Sequence, residues 1–65
     1  MYDITVLGRA ERTLRIALED LVEEWRPDVV GPMLTMRVAD QSALIAALGA
    51  LHDLGVQIET VRRVR

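Results

Sequence analysis

The stretch DLVEEWRP at residues 20–27 decides the fold, because it fits two different secondary structures. As a helix, it extends the apolar pattern that begins near Arg9 and runs on to Trp25 at helical spacing. As a strand, it alternates, with Val22, Glu24 and Arg26 sharing one face. Pro27 ends either element, so the choice sets the number of strands in the sheet.

The segments around this stretch have clearer patterns. Residues 2–7 (YDITVL) alternate as a strand does and are followed by Gly8, and residues 33–38 (MLTMRV) alternate in the same way. Asp40 is a good N-cap for a second helix, and the glycine at position 55 is placed to end it. Val56–Val64 is the last predicted strand. Val61 falls out of phase there, which predicts either a bulge or an apolar spot on the outer face.

The strand interpretation of residues 20–26 gives the order β-α-β-β-α-β. This is a ferredoxin-like α+β sandwich, with an antiparallel sheet and two helices on one of its faces. The helix interpretation gives β-α-β-α-β with three strands. We favour the first, because a hairpin across residues 27–31 gives Trp25, Val29 and Val30 a place that a three-stranded sheet does not. Residues 1–65 then form one domain.

The predicted core combines the inward positions of the strands with the apolar stripes of both helices. Its members are Ile4, Val6, Leu14, Leu18, Leu34, Met36, Val38, Leu44, Leu48, Leu51, Leu54, Val56 and Ile58.

Composition excludes several function classes. The chain has eight arginines, no lysine, ten acidic residues, one histidine and no cysteine. Without cysteine there are no disulfides, zinc ribbons or thiol chemistry, and we expect neither a metal nor a cofactor. The net charge of −2 gives no basic field for nucleic acid. Since no apolar run approaches the ~20 residues of a membrane span and no signal peptide precedes the first strand, we expect a cytoplasmic protein without membrane contact.

Residues suited to catalysis are scarce. His52 is the one side chain whose unperturbed pKa lies near neutrality, and its neighbour Asp53 points elsewhere on a helix. Ser42 lies in the first turn of the second helix, where serine usually caps. No nucleophile, base and orienting group come together, so we expect no enzymatic activity.

Three pieces of the sequence resemble a group of short actinobacterial proteins without an assigned function. These are DQSAL at residues 40–44, LGV at residues 54–56 and ETVRR at residues 59–63. The group has a D-Q-A-A-L segment, then L-G-L, then E-V-R-R near the C-terminus. The resemblance implies a bacterial source and the same fold, which we expect to be ferredoxin-like or ACT-like.

The segment ITVLGR at residues 4–9, followed by a helix, also resembles the opening of ACT domains, which are small regulatory modules. This resemblance implies a sensor of an amino acid or another anionic ligand. Gly8, Arg9 and the N-terminus of the first helix would then hold the ligand. We keep this as the alternative function.

The favoured function is a protein-interaction module. A chain of this size buries little surface alone, and the sheet face opposite the helices combines apolar side chains with a charged rim, as interfaces do. We therefore predict a homodimer, or docking of a protein partner, through that face. The predicted interface residues are Leu7, Met33, Thr35, Arg37, Glu59 and Val61.

Overall fold

Four strands form one antiparallel sheet in the computed structural model, which describes residues 1–8 and 11–65. The elements are β1 (Tyr2–Leu7), α1 (Glu11–Leu18), β2 (Val22–Pro27), β3 (Met33–Val38), α2 (Gln41–Asp53) and β4 (Ile58–Arg63). Their spatial order is β2-β3-β1-β4, so β1 and β3 are central and β2 and β4 are the edges. The predicted ferredoxin-like arrangement is confirmed, and the three-stranded alternative is wrong.

The ambiguous segment becomes a strand because β3 offers it a partner. Helix α1 ends at Leu18, and the Leu21 amide donates to the Leu18 carbonyl at 2.9 Å before β2 begins. Trp25 then lies opposite Met36 of β3 and packs against the core. Helical spacing alone favours continuing α1, but pairing and burial of a β-branched and an aromatic residue outweigh it.

A bulge in β2 changes which side chains share a face. The register shifts between Val22, which lies opposite Val38, and Glu24, which lies opposite Arg37. Glu23 is the extra residue, so Val22 faces the helices while Glu24 faces away from them. The predicted alternation, with Val22 and Glu24 on one face, is therefore wrong.

The β2–β3 hairpin closes where it was predicted, but its tip projects into solvent. The Asp28 amide donates to the Met33 carbonyl at 2.8 Å, and the Gly8 amide donates to the Pro32 carbonyl at the base of the tip. Val29 and Val30 are 97% and 95% exposed. The expectation that the hairpin would give both valines a place in the fold is wrong.

Helix α2 has the predicted caps. The Asp40 side chain accepts a hydrogen bond from the Ala43 amide at 2.8 Å. At the other end, Gly55 has a φ of 72°, and the Val56 amide donates to the Leu51 carbonyl at 3.0 Å. This is a Schellman motif, in which glycine takes the left-handed position without steric cost.

The core lies between the helices and the inner face of the sheet. Its buried residues are Ile4, Val6, Leu14, Leu18, Val22, Leu34, Met36, Val38, Ala47 and Leu51. Of the predicted members, Leu44, Leu48 and Val56 are half-buried, while Leu54 and Ile58 are exposed. Leu54 is the residue that caps α2, beyond its last turn, and Ile58 lies on an edge strand with one neighbour. Those positions explain why a correct apolar pattern overestimates burial there.

Replacing Leu51 by alanine should lower the free energy of unfolding by about 2–5 kcal/mol, because this fully buried side chain leaves a cavity. Urea denaturation followed by Trp25 fluorescence measures the change. Ile45→Ala on the exposed side of the same helix is the matched control and should cost below ~0.5 kcal/mol. Equal effects of the two substitutions would contradict the helix orientation described here.

Candidate protein-interaction face

The sheet face turned away from both helices, called the outer face below, consists of rows of side chains that cross the strands. The strand register gives a charged row and a threonine row. The charged row reads Glu24, Arg37, Asp3 and Arg62 from β2 to β4, and the threonine row reads Arg26, Thr35, Thr5 and Thr60. Beyond them, Leu7 lies opposite Met33. The two buried core faces of α1 and α2 lie on the other side of the sheet.

Asp3 is the electrostatic centre of the outer face. It is 7% exposed and is the one buried charged residue among residues 1–8 and 11–65. Arg37 donates from Nε to Asp3 Oδ1 at 2.9 Å and from Nη2 to Oδ2 at 3.1 Å. Arg26 reaches across from the edge strand and donates from Nη2 to Oδ2 at 2.7 Å. Both carboxylate oxygens are thus paired, as burial of a charge requires.

These contacts keep Asp3 ionised. The hydrogen bonds from Arg37 are the largest cause that lowers the pKa of Asp3 below its usual value; burial opposes them and Arg26 adds to them. The same pair raises the pKa of Arg37. Since a general base at neutral pH needs a pKa near 7, Asp3 is suited to holding two arginines in place and not to accepting protons.

The threonine row forms the floor of an open concavity of about 470 Å³. Thr5 Oγ1 and Thr35 Oγ1 are 3.1 Å apart, and Thr60 lies opposite Thr5. Arg26 and Arg62 line the concavity from the two edge strands. Glu24 is 3.3 Å from Arg26, and both side chains are about half exposed. The face therefore has a polar floor and charged groups along both margins.

Four of the six predicted interface residues lie in regular strand register on the outer face: Leu7, Met33, Thr35 and Arg37. Glu59 stands at a bulge, where its Oε2 accepts a hydrogen bond from Gln57 Nε2 at 2.7 Å. Val61 lies opposite Ile4, on the side of the helices, so its predicted position is wrong. The register shifts between Thr5, opposite Thr60, and Val6, opposite Ile58, which makes Glu59 the extra residue of a bulge. The bulge was one of the two outcomes predicted for this strand, and it is what turns Val61 inward.

The predicted interface omits six residues of the outer face: Asp3, Thr5, Glu24, Arg26, Thr60 and Arg62. Two signals were available for Arg26 and Arg62. The first signal is Asp3, whose carboxylate on the outer side of a central strand needs cationic neighbours such as these arginines. The second is the predicted bulge near Val61, which would also change the face on which the next residue, Arg62, lies. Thr60 carries no signal of its own, since an exposed threonine on an edge strand is ordinary.

Of the two residues assigned to the alternative ligand site, Arg9 lies outside the described residues. Gly8 is described, and its amide donates to the Pro32 carbonyl. A Cβ atom at Gly8 would lie 3.0 Å from that carbonyl oxygen and 3.2 Å from Leu34 Cβ. Close approach of the hairpin therefore explains this glycine without a ligand.

The sequence profile of a domain of unknown function, DUF8691, matches residues 1–62. The chain belongs to the DUF8691 family. No curated protein and no solved structure matches it. The DUF8691 match includes every residue of the charged and threonine rows, so the outer face belongs to the part of the chain that defines the family.

No helix in residues 1–8 and 11–65 of this DUF8691 domain is long and apolar enough to cross a membrane. Within that part of the chain, no three histidine, aspartate or glutamate side chains cluster as a metal site requires.

Replacing Asp3 by asparagine should destabilise the domain by about 1–3 kcal/mol at pH 7, because the hydrogen bonds to arginine lose their charge. A lowered pKa in the folded state means that Asp3 stabilises the fold above its unfolded pKa of about 3.9 and loses this effect as pH falls through the folded value. The difference between parent and variant should therefore be constant above about pH 5 and shrink in acid.

Urea denaturation between pH 2 and pH 7 measures this difference, with pH limits set to bracket the ~3.9 reference value. Glu11→Gln is the control, because Glu11 pairs with Arg15 on an exposed helix surface at 2.9 Å and such pairs contribute at most ~0.5 kcal/mol. A penalty for Asp3→Asn that stays constant down to the lowest pH would contradict the ionised, paired state of Asp3.

Proposed function

We propose that this DUF8691 domain is a non-catalytic protein-interaction module that forms a homodimer through its outer face. The order of charges in one row carries the proposal. From β2 to β4 the charged row runs acid, base, acid, base: Glu24, Arg37, Asp3, Arg62. Read in the opposite direction, the row becomes base, acid, base, acid, so it is complementary to its own reverse.

A two-fold axis achieves this reversal when it runs parallel to the strands, between β1 and β3. It places β2 of one copy over β4 of the other, since the strand order β2-β3-β1-β4 is reversed. Glu24 then faces Arg62 of the second copy, and Arg26 faces Thr60. An isologous interface needs such self-complementarity.

The exposed groups of the rows are those that the second copy would meet. Asp3 is already enclosed by its own arginines, whereas Glu24, Arg26, Thr60 and Arg62 are exposed. At one end of the two central strands, Leu7 and Met33 are half-buried and would face Met33 and Leu7 of the second copy. The interface would then combine an apolar contact at that end with charge pairs along both margins.

The outer face alone gives a small interface. Four strands about 4.8 Å apart and six residues of about 3.4 Å each cover ~400 Å² of flat surface per copy. A pair of such faces covers about 800 Å², short of the ~1,000 Å² expected of a stable interface, so the proposed dimer is a weak and reversible one.

Two substitutions of Thr60, one acidic and one basic, should change the affinity of the dimer in opposite directions. Thr60 is exposed on an edge strand, outside the core, so substitutions there leave the fold intact. Thr60→Glu adds an acid facing Arg26 of the second copy and should tighten the dimer. Thr60→Arg adds a like charge and should weaken it. Because each exposed pair contributes about 0.2–1 kcal/mol and occurs twice, each shift in Kd should be about two- to thirty-fold at low salt.

Sedimentation equilibrium over a concentration series measures Kd. Ala46→Glu and Ala46→Arg, on the exposed side of α2, make the same charge changes away from the outer face and should leave Kd unchanged. A parent chain that remains monomeric up to about 1 mM would contradict the proposal, and so would equal shifts from the glutamate and arginine variants.

The alternative sensor function has no specific observation in its favour, because the Gly8 amide is occupied by the hairpin. Two finer statements remain predictions: that the protein works in the cytoplasm, and that its relatives include the short actinobacterial proteins it resembles.

A further inference from the structure

We propose that the concavity of the outer face binds a small organic acid. Its carboxylate is held by Arg62 and by the Thr60 hydroxyl, and its apolar body lies against Met33. This inference does not rest on the proposed dimer, because these residues all belong to one chain. The site is also distinct from the ligand position predicted at Gly8.

Arg62 is the cation of the outer face that has no acidic partner among residues 1–8 and 11–65. The Asp3 carboxylate pairs with Arg37 and Arg26, and the Glu24 carboxylate pairs with Arg26. Arg62 lies opposite Asp3 in the register, yet it forms no ion pair with an acid of the described residues. Its planar fork of N–H donors matches the two oxygens of a carboxylate. The β4 margin of the outer face therefore carries an uncompensated positive charge.

The threonine row supplies hydroxyl donors beside Arg62. Thr5 Oγ1 and Thr35 Oγ1 are 3.1 Å apart, so one hydroxyl hydrogen lies between them and the other is available to a third group. Thr60 lies opposite Thr5 and lines the same concavity. Within residues 1–8 and 11–65, the Thr60 hydroxyl makes no hydrogen bond. Hydroxyl donors next to an unpaired guanidinium are suited to binding an anion and not a cation.

The hairpin end of the concavity is apolar. Met33 and Pro27 line it there, and Met33 lies opposite Leu7, two residues along β1 from Thr5. Two residues of strand measure ~7 Å, a distance that a short aliphatic chain spans. The volume of about 470 Å³ lies in the range of small-molecule pockets. A ligand with a carboxylate at one end and an apolar body at the other fits this division.

The acid Asp28 also lines the concavity, but it lies far from Arg62. A Cβ atom built on Gly31 would be 2.7 Å from Asp28 Oδ2, so this carboxylate is turned toward the hairpin turn. The Asp28 amide donates to Met33, whose partner on β1 is four residues from Asp3, the partner of Arg62. Four residues of strand measure ~14 Å, beyond the distance at which salt screens exposed charges. Repulsion from Asp28 therefore does not prevent an acid from binding at Arg62.

Titration of the ¹⁵N-labelled protein with sodium hexanoate, followed by NMR, tests the site, because this acid joins a carboxylate to a short aliphatic chain. We expect saturable amide shifts at Thr5, Thr35, Thr60 and Met33, measured against sodium chloride at the same ionic strength. Sodium acetate, which lacks the chain, should bind more weakly. The absence of saturation up to about 50 mM hexanoate would overturn the proposal, and so would equal affinities for hexanoate and acetate.

Two substitutions identify the residues that hold the carboxylate. Arg62→Gln removes the charge and should weaken hexanoate binding about ten-fold or more, while Thr60→Val removes the hydroxyl and should also weaken it. Arg12→Gln is the matched control, because Arg12 is exposed on α1, on the other side of the sheet, and should leave the affinity unchanged. Equal affinities of the parent and Arg62→Gln would overturn the proposal.

The bound acid and the proposed dimer compete for Arg62, since Glu24 of the second copy would face it. Saturating hexanoate should therefore raise the dimer Kd at least about two-fold in sedimentation equilibrium for the parent, but not for Arg62→Gln. Hexanoate that binds and leaves the Kd of the parent dimer unchanged would overturn the placement of its carboxylate at Arg62. A parent chain that is monomeric throughout contradicts the dimer only, because the titration tests the site on a single chain.

Discussion

The alternation of side chains along β1 is the constraint on which the rest of the structure depends. β1 has a paired strand on each side, so the face on which each of its side chains lies also fixes the face of the residues opposite it on β3 and β4. Ile4 and Val6 enter the core, while Asp3 lies on the outer face between two arginines. A slip of one residue would bring the carboxylate into the core without its partners and expose Ile4. The Asp3–Arg37 pair, formed between directly opposite residues, is compatible with one register only.

Structural features that depend on residues close together in the chain, such as helix caps, could be predicted from the sequence. Features that depend on pairing between strands, such as the position of a bulge, could not. The caps of α2 depend on Asp40 and Gly55, which act within a few residues of themselves, and both were predicted. The second strand was favoured only by considering where Trp25, Val29 and Val30 would go, because its local pattern fits both a helix and a strand; of the three, only Trp25 packs against the core. The position of Val61 required knowing that Glu59 is the bulged residue, and a bulge is defined only against the neighbouring strand.

The candidate site illustrates the same division. Leu7, Met33, Thr35 and Arg37 lie on regular central strands, and simple alternation assigns them to the outer face. Arg26 and Arg62 lie on the edge strands, beyond a bulge in each case, so counting residues along the chain puts neither of them in its row. The complementarity of the charged row with its own reverse emerges only when four strands are placed side by side. It is a property of the sheet and not of any single segment.

Both edge strands carry their bulge at a glutamate, Glu23 in β2 and Glu59 in β4. An open edge exposes unpaired amides and carbonyls and invites further strands, which leads to fibrils. A bulge twists the edge away from such addition, and a negative charge at the bulge discourages close approach by another edge. Both features therefore oppose the addition of further strands at the two edges of the sheet. The proposed dimer uses the outer face instead, where a two-fold contact would close after two copies.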